Sequence, residues 1–407
     1  MKILANGRAF VDGHLQRFDI GFDDKIRAIA QNISGEIIDC SDKIILPGAI
    51  DVHVHFRDFN QSYKEDWQSG SRAAVSGGVA TVLDMPNNDP PAITVDILNE
   101  KRRRADASLV NGKLYGGLCA ENVSHISKIA QVVDAFKLYL GETTGHMIVS
   151  DRTLQKEIVH HVAETGKVLT VHAQRGAIAP EEITQHEAED LQYAIELAAP
   201  YKTKLHLAHV TTQLGIETIL TAKRKGIDVS FETCPQYLFF TAEDRAQRGA
   251  YLKVNPPVAT RADRDFLWQA LRENQIDMMA TDHAPHTIEE KNLGIEKAPS
   301  GLPGVEFVLP LLLDAVNAKK ISLAQLVDIC CKRPAQRFRL SKGEIKVGLD
   351  ADLVVIDMKL RKTIEQEDVA SKCGWSPYEG MRLQGWPVMT FVQGKIAFEN
   401  GGRPSGA

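Results

Sequence analysis

Two hydrophobic rhythms run along this chain, and the switch between them divides it. From Lys2 to about Leu46, apolar and polar residues alternate in short runs broken by turn residues. Period-two alternation suits half-buried strands, so strands are expected at residues 3–6, 18–22, 26–29 and 37–39. Asp12-Gly13 is a residue pair that two-residue hairpin turns favour. The far end repeats the style, with strands expected at 353–356, 389–392 and 395–399 and a turn at Gln393-Gly394. Isolated hairpins are barely stable, so both ends are expected to build one small β-sandwich domain, residues 1–46 plus 341–407.

The middle, residues 47–340, follows another rhythm. Short apolar runs at 49–56, 80–85, 112–118, 135–140, 167–172, 204–210, 228–233 and 277–282 read as strands. Longer stretches with helical spacing, such as 154–165, 214–225 and 261–273, separate them. Eight strands alternating with helices predict an α/β protein with a (β/α)8 TIM-type barrel. An open doubly wound sheet is the alternative, although no G-x-G-x-x-G turn follows the first strand.

Composition narrows the setting. The 407 residues suit a barrel of about 250 residues with an appendage. The 48 basic and 53 acidic residues are spread along the chain, so no basic block offers a nucleic-acid surface. The cluster 101–104 reads as the solvated face of a helix. Residues 1–10 lack the apolar stretch of a secretory signal. The apolar run 305–316, interrupted by Glu306 and Asp314, is too short to span a bilayer. Six cysteines show neither zinc-knuckle spacing nor a dense disulfide framework, and read as reduced thiols. A cytoplasmic protein acting on a small molecule is the expectation.

Candidate chemistry begins at Asp51-Val-His53-Val-His55-Phe-Arg57. Strand alternation would project His53, His55 and Arg57 together, with Val52, Val54 and Phe56 facing away. Two imidazoles so spaced can chelate one metal ion, or can simply lie on a polar strand face. Further ligand-type residues end later strands: His172, His209 (in parity with Leu205 and Leu207) and Asp282. In a barrel these ends meet at one mouth, where barrel active sites lie. His206 has the opposite parity and is expected to face the helices. His160 and His161 lie in a helical pattern, and His14, His125, His146 and His186 in loop or surface contexts. In the loop that follows, His286 is a better candidate for ligand contact than His283. Lys137 is unusual in the apolar run Phe136-Lys-Leu-Tyr-Leu140. Burial would lower its pKa and leave a neutral amine able to take up carbon dioxide as a carbamate. Alternatively, it snorkels to the barrel mouth.

Seven segments carry a family resemblance: Pro47 to Arg57, Asp84-Met-Pro-Asn87, Lys137-Leu-Tyr-Leu-Gly-Glu142, Val171-His-Ala173, Ala208-His-Val210, Val254-Asn-Pro-Pro257 and Thr281-Asp-His-Ala-Pro-His286. Together they resemble the cyclic amidohydrolases of the amidohydrolase superfamily, and among these the dihydroorotases. The resemblance implies one zinc held by His53, His55 and Asp282 and a second by His172 and His209. It implies that N6-carboxylated Lys137, formed with CO2 or bicarbonate, bridges them. Many bacterial dihydroorotases have aspartate at that position; the lysine here is similar to the animal type. Some animal enzymes hold a third zinc through a cysteine and a later glutamate. Here Ala208 replaces the cysteine, although Glu232 is present, so no third zinc is expected.

The implied reaction is reversible cyclisation of N-carbamoyl-L-aspartate to L-dihydroorotate, with Asp282 as general acid and base. Arg57 would take the ring carboxylate, although a surface salt bridge is the plainer role for an arginine. Asn87, Asn255, His286, Ser300 and Gly301 would make the other substrate contacts. Hydantoinases and allantoinases share the metal set but generally lack the arginine after His-x-His. A non-catalytic dihydroorotase-like partner of aspartate transcarbamoylase is the reading from another class. A homodimer and an association with that transcarbamoylase are the expected partnerships.

Overall fold

Eight parallel strands carry the middle of the chain in a computed structural model that describes residues 1–141, 147–175 and 182–400. In chain order they are β1 (Ala49–Val54), β2 (Val79–Asp84), β3 (Asn111–Gly117), β4 (Ala135–Tyr139), β5 (Val168–His172), β6 (Lys204–Leu207), β7 (Val229–Thr233) and β8 (Met278–Met279). Each pairs with the next, so spatial order equals sequence order. The seam between β8 and β1 is narrower. A parallel bridge joins Val54 and His283, and His55 N donates to His283 O at 2.7 Å. This is the nearly closed (β/α)8 barrel that the alternating pattern predicts.

Helices fill the intervals because their ends are capped. Asp151, Thr212 and Thr260 accept from Leu154 N, Gly215 N and Asp263 N, opening Arg152–Thr165, Gln213–Arg224 and Arg261–Arg272. Gly166 closes the first of these at φ 66°, where a side chain would be strained. The strands bury both faces. Ile50, Val52, Tyr115, Ala135, Val168 and Met278 fill the barrel with Phe338, whereas Val54, Leu138, Val171, Leu205 and Leu207 pack outward with the helices. The apolar run near residue 310 forms the ten-residue helix Val308–Asn317, largely buried. No helix among the described residues is long and apolar enough to cross a membrane.

Two further sheets come from the termini. Lys2–Ala5, Asp19–Phe22, Ile26–Ala30 and Glu36–Asp39 form a four-stranded sheet. Arg8–Val11, His14–Gln16 and Ile44–Pro47 join Leu353–Thr363, Arg382–Val392 and Lys395–Glu399 in a six-stranded one. Leu4, Ile20, Phe22, Ile45, Leu353 and Phe391 form the core between them. Ile44–Pro47 pairs antiparallel with Leu353–Thr363, Leu46 opposite Val354. Alternation does not predict this strand because all four of its residues are buried, which erases the period-two pattern. Asp12 and Gly13 turn the first hairpin at φ 49° and 82°.

Between its two long strands the C-terminal region runs back over the barrel loops. Trp375 Nε1 donates to His286 O at 2.7 Å, and Tyr378 stacks on Phe240 at 5.4 Å. The cluster 101–104 requires a correction. Arg103 is exposed as expected, but Lys101 is wholly buried. Its ammonium pairs with Asp84, so a charge run concealed one inward-facing lysine.

Candidate functional site

The carboxyl ends of the eight strands surround a cavity of about 310 Å³. His53, His55, Arg57, Asn87, Lys137, His172, His209, Asn255, Asp282, Ser300 and Gly301 all line it. Of the expected site residues only His286 does not.

On β1 the expected parity holds only in part. Val54 and Phe56 face the helices, but Val52 joins Ile50 inside the barrel. The pairing with β2 shifts between Asp51 and Val54, and this irregularity turns His53 and His55 to the mouth after Val52 has pointed inward. Asp51 secures the shifted segment. Its carboxylate accepts from His53 N and Thr281 N, both at 3.1 Å, tying β1 to the segment after β8.

His53 Nε2 and His55 Nε2 converge on Asp282 Oδ1, at 3.3 and 3.0 Å. Their other ring nitrogens are held from behind: His53 Nδ1 by Glu232 Oε1, and His55 Nδ1 by Asn87 Oδ1 at 2.7 Å. Burial raises the Asp282 carboxyl, but the neighbouring His53 and His55 imidazoles outweigh it and hold the group well below the usual carboxylate range. Burial pushes His55 down to about 4, so its imidazole is neutral at pH 7.

His172, His209 and Lys137 complete the other side. His172 Nδ1 lies 2.8 Å from His209 Nε2, while His172 Nε2, His209 Nδ1 and Lys137 Nζ are buried without a hydrogen-bond partner among the described residues. Burial pushes His209 down to about 3 and His172 well below its ordinary value. Lys137 points into the barrel rather than snorkelling, and burial lowers its amine to about 8.

Sequence parity misplaces His206. It lies inside the barrel, wholly buried, with Nε2 3.0 Å from Glu232 Oε2 and Nδ1 2.9 Å from Ser230 Oγ. β6 ends at Leu207, and His209 sits at φ 41°, so the turn there, not strand alternation, brings His209 to the mouth. Glu232, which the sequence suggests only for a third zinc, bridges His53 and His206. Burial raises its pKa, but His53 and His206 pull it well below the ordinary carboxylate value. A signal for it exists: a carboxylate inside the apolar run of β7 is as unusual as Lys137 in β4.

Arg57 is buried and has no carboxylate within ion-pair distance among the described residues, so it is not a surface salt bridge. Its Nε donates to Pro285 O at 3.2 Å and its Nη2 faces His286 Nε2 at 3.0 Å. His286 therefore stands behind the guanidinium instead of at the cavity wall, with Lys64 Nζ 3.1 Å from its Nδ1. Gly301, at φ 136°, lets the wall close in, since a Cβ there would meet Ala284 O at 2.5 Å. Lys291 Nζ holds this wall by donating to Gly301 O at 2.8 Å. His283 is buried behind the site and accepts from Gly304 N at 3.1 Å. His14, His125, His160 and His186 are exposed and His161 is half-buried; Glu142 and His146 lie outside the described residues.

The donor set fits metal ions. The ligand atoms of His53, His55 and Asp282 lie within 4.8 Å of one another, a cluster able to hold one ion. Beside it, among the described residues, two neutral imidazoles each keep a buried nitrogen and an amine its Nζ without a hydrogen-bond partner, an arrangement costly without a ligand.

The comparisons agree with this geometry. The profile of the Amidohydrolase family matches residues 44–397. A dihydroorotase of Pyrococcus horikoshii is 37% identical over 370 residues, covering 89% of this chain and 84% of that protein. One from Pyrococcus furiosus is 34% identical, covering 100% and 95%. Among solved structures, the L-hydantoinase (dihydropyrimidinase) of Arthrobacter aurescens superposes with a TM-score of 0.93 at 30% identity, covering 99% of this chain and 97% of that one. This chain belongs to the amidohydrolase family, and it is a cyclic amidohydrolase.

Proposed function

We propose that the chain is a dihydroorotase, interconverting N-carbamoyl-L-aspartate and L-dihydroorotate in pyrimidine biosynthesis. The observation that carries the substrate choice is Arg57, a buried guanidinium without a carboxylate partner among the described residues, in the same cavity as the clustered imidazoles. A buried cation of this kind favours an anionic ligand, and a carboxylate matches its fork of donors. The ring carboxylate of dihydroorotate supplies one.

In this reading His53, His55 and Asp282 would hold one zinc and His172 and His209 another, with Lys137, as its carbamate, a further ligand between them. The lysine side chain is suited to that modification: its neutral form adds to CO2, forming the N–C bond and releasing one proton. When bound, the ions supply an electrophile for the ring amide and a nucleophilic water at neutral pH. Asp282 then moves the proton. Its carboxylate, which lies at the mouth within reach of both imidazoles, would accept the water's proton and pass it to the ring nitrogen as the amide opens. Ring closure reverses the transfer. Asn87 and Asn255 line the cavity with Arg57 and would face the ring, and the 300–301 wall would cover it from the other side.

The structural likeness to a hydantoinase favours one second reading, in which a hydantoin without a carboxylate is the substrate. Arg57→Met separates the two. The dihydroorotase reading expects the KM for dihydroorotate to rise at least about tenfold. Turnover of hydantoin by the unaltered enzyme with none of dihydroorotate would refute it. The resemblance also brings a homodimer and an association with aspartate transcarbamoylase, which light scattering with and without that partner tests.

A further inference from the structure

Directly after β1 three successive residues have positive φ, and none is glycine: Arg57 at 55°, Asp58 at 54° and Phe59 at 48°. Asp58 combines this with ψ −171°, a region that L side chains rarely adopt. Such a turn persists only where its surroundings over-determine it. Here a buried network does so. Lys101, on the helix Val95–Asp106, forms a 2.7 Å ion pair with Asp84 Oδ2 and donates to Met85 O at 2.6 Å and to Asn88 Oδ1 at 2.7 Å. Two hydrogen bonds and one ion pair thus surround the ammonium. Because Lys101 takes the Asn88 oxygen, the amide nitrogen must face the other way, and it donates to Arg57 O. Asp84 Oδ1 accepts from Phe56 N at 2.7 Å. Arg104, one turn along the same helix, donates to Asp58 Oδ1 at 2.9 Å and lies over the Phe59 ring at 4.5 Å.

A buried lysine–aspartate pair is a poor device for stability alone, since apolar residues of similar volume often serve as well. Apolar residues could not orient the Asn88 amide. We propose that Lys101, Asp84 and Asn88 are positioning residues that fix the Arg57 turn, aim its guanidinium into the cavity and so set the affinity for the substrate carboxylate. This rests on the reading of Arg57 given above. The far end of the same side chain is held by Pro285 O and His286. The guanidinium is therefore fixed from the backbone by one network and from the head by another.

Two variants test the assignment. Asn88→Ala removes the bond to Arg57 O. The double variant Lys101→Met with Asp84→Asn removes both charges together and keeps an acceptor for Phe56 N, which guards against a buried unpaired carboxylate. In both, amide hydrogen exchange across residues 57–60 should accelerate roughly tenfold or more, with exchange in β5 and β6 unchanged. The KM for dihydroorotate should rise about tenfold while kcat stays within about twofold, the pattern of lost ground-state binding. Unaltered exchange at 57–60 in Asn88→Ala would overturn the positioning role. So would a fall in kcat and melting temperature together in both variants, which marks a merely structural network. If Arg57→Met leaves KM unchanged, the substrate reading fails and the link to affinity fails with it. Faster exchange in Asn88→Ala would still support the positioning.

Discussion

The two halves of the site are built differently. On the β1 side, every ring nitrogen of His53 and His55 has a protein oxygen beside it: Asp282 in front, Glu232 and Asn87 behind. On the β4–β6 side, among the described residues, His172, His209 and Lys137 each leave a buried nitrogen without a hydrogen-bond partner. A buried polar atom left so costs about 1–3 kcal/mol. The first half is thus arranged by the fold itself, whereas the second reaches its lowest energy only when something else satisfies it. Bracing from behind fixes tautomer and ring orientation before any ion arrives.

Replacing Lys137 should show this asymmetry most strongly. On the proposed reading, Lys137→Met loses at least about 100-fold in turnover and keeps one equivalent of zinc, held at His53, His55 and Asp282. Elemental analysis after dialysis reads the result; two retained equivalents, or none, would break the comparison. A smaller effect is expected at the brace. Glu232→Gln should cost about 10–100-fold in metal affinity or activity, as loss of a carboxylate behind a ligating imidazole usually does. Competition with a chelator measures it, and an unchanged affinity would mean that the bracing is idle.

The smallest effect is in the pH dependence of the metal-free protein. Burial depresses His55 to about 4 and His209 to about 3 in the fold, against about 6.5 when unfolded. Depressed groups contribute stability that is full above the unfolded pKa and is lost as pH falls toward the folded value. Thermal melts should therefore fall between about pH 6.5 and 3. His209→Gln should flatten that fall more than His55→Gln, because burial takes His209 lower, to about 3 against about 4. Equal slopes for the two variants would remove the distinction between the halves.

Much of this is legible in the sequence, and for identifiable reasons. The eight barrel strands declare themselves because short apolar runs, alternating eight times with helical spacing, suit few other architectures. The cavity residues stand out because they end strands, and strand ends in a barrel converge. What fails is parity at irregular backbone. The shift between Asp51 and Val54 misassigns Val52, and the turn at His209 misassigns His206, since alternation holds only while pairing is regular. Burial of a charge also leaves no mark on composition, which is why Lys101 looks like its solvated neighbours and Glu232 looks spare. An ionisable residue inside an apolar run is the available clue, and it marks Glu232 as plainly as it marks Lys137.

The pairing of Ile44–Pro47 with Leu353–Thr363 has a consequence in time. A ribosome releases the earlier strand long before the later one exists, and synthesis proceeds at about 5–20 residues per second. During that interval Ile44–Pro47 has one bare edge, directly before the first strand of the barrel. The loop 281–286 likewise waits for Trp375 before its backbone acquires that last contact. The mouth of the barrel is thus finished by a segment that emerges after every cavity residue, and a nascent chain halted before it would carry the whole cavity lining without the support behind it.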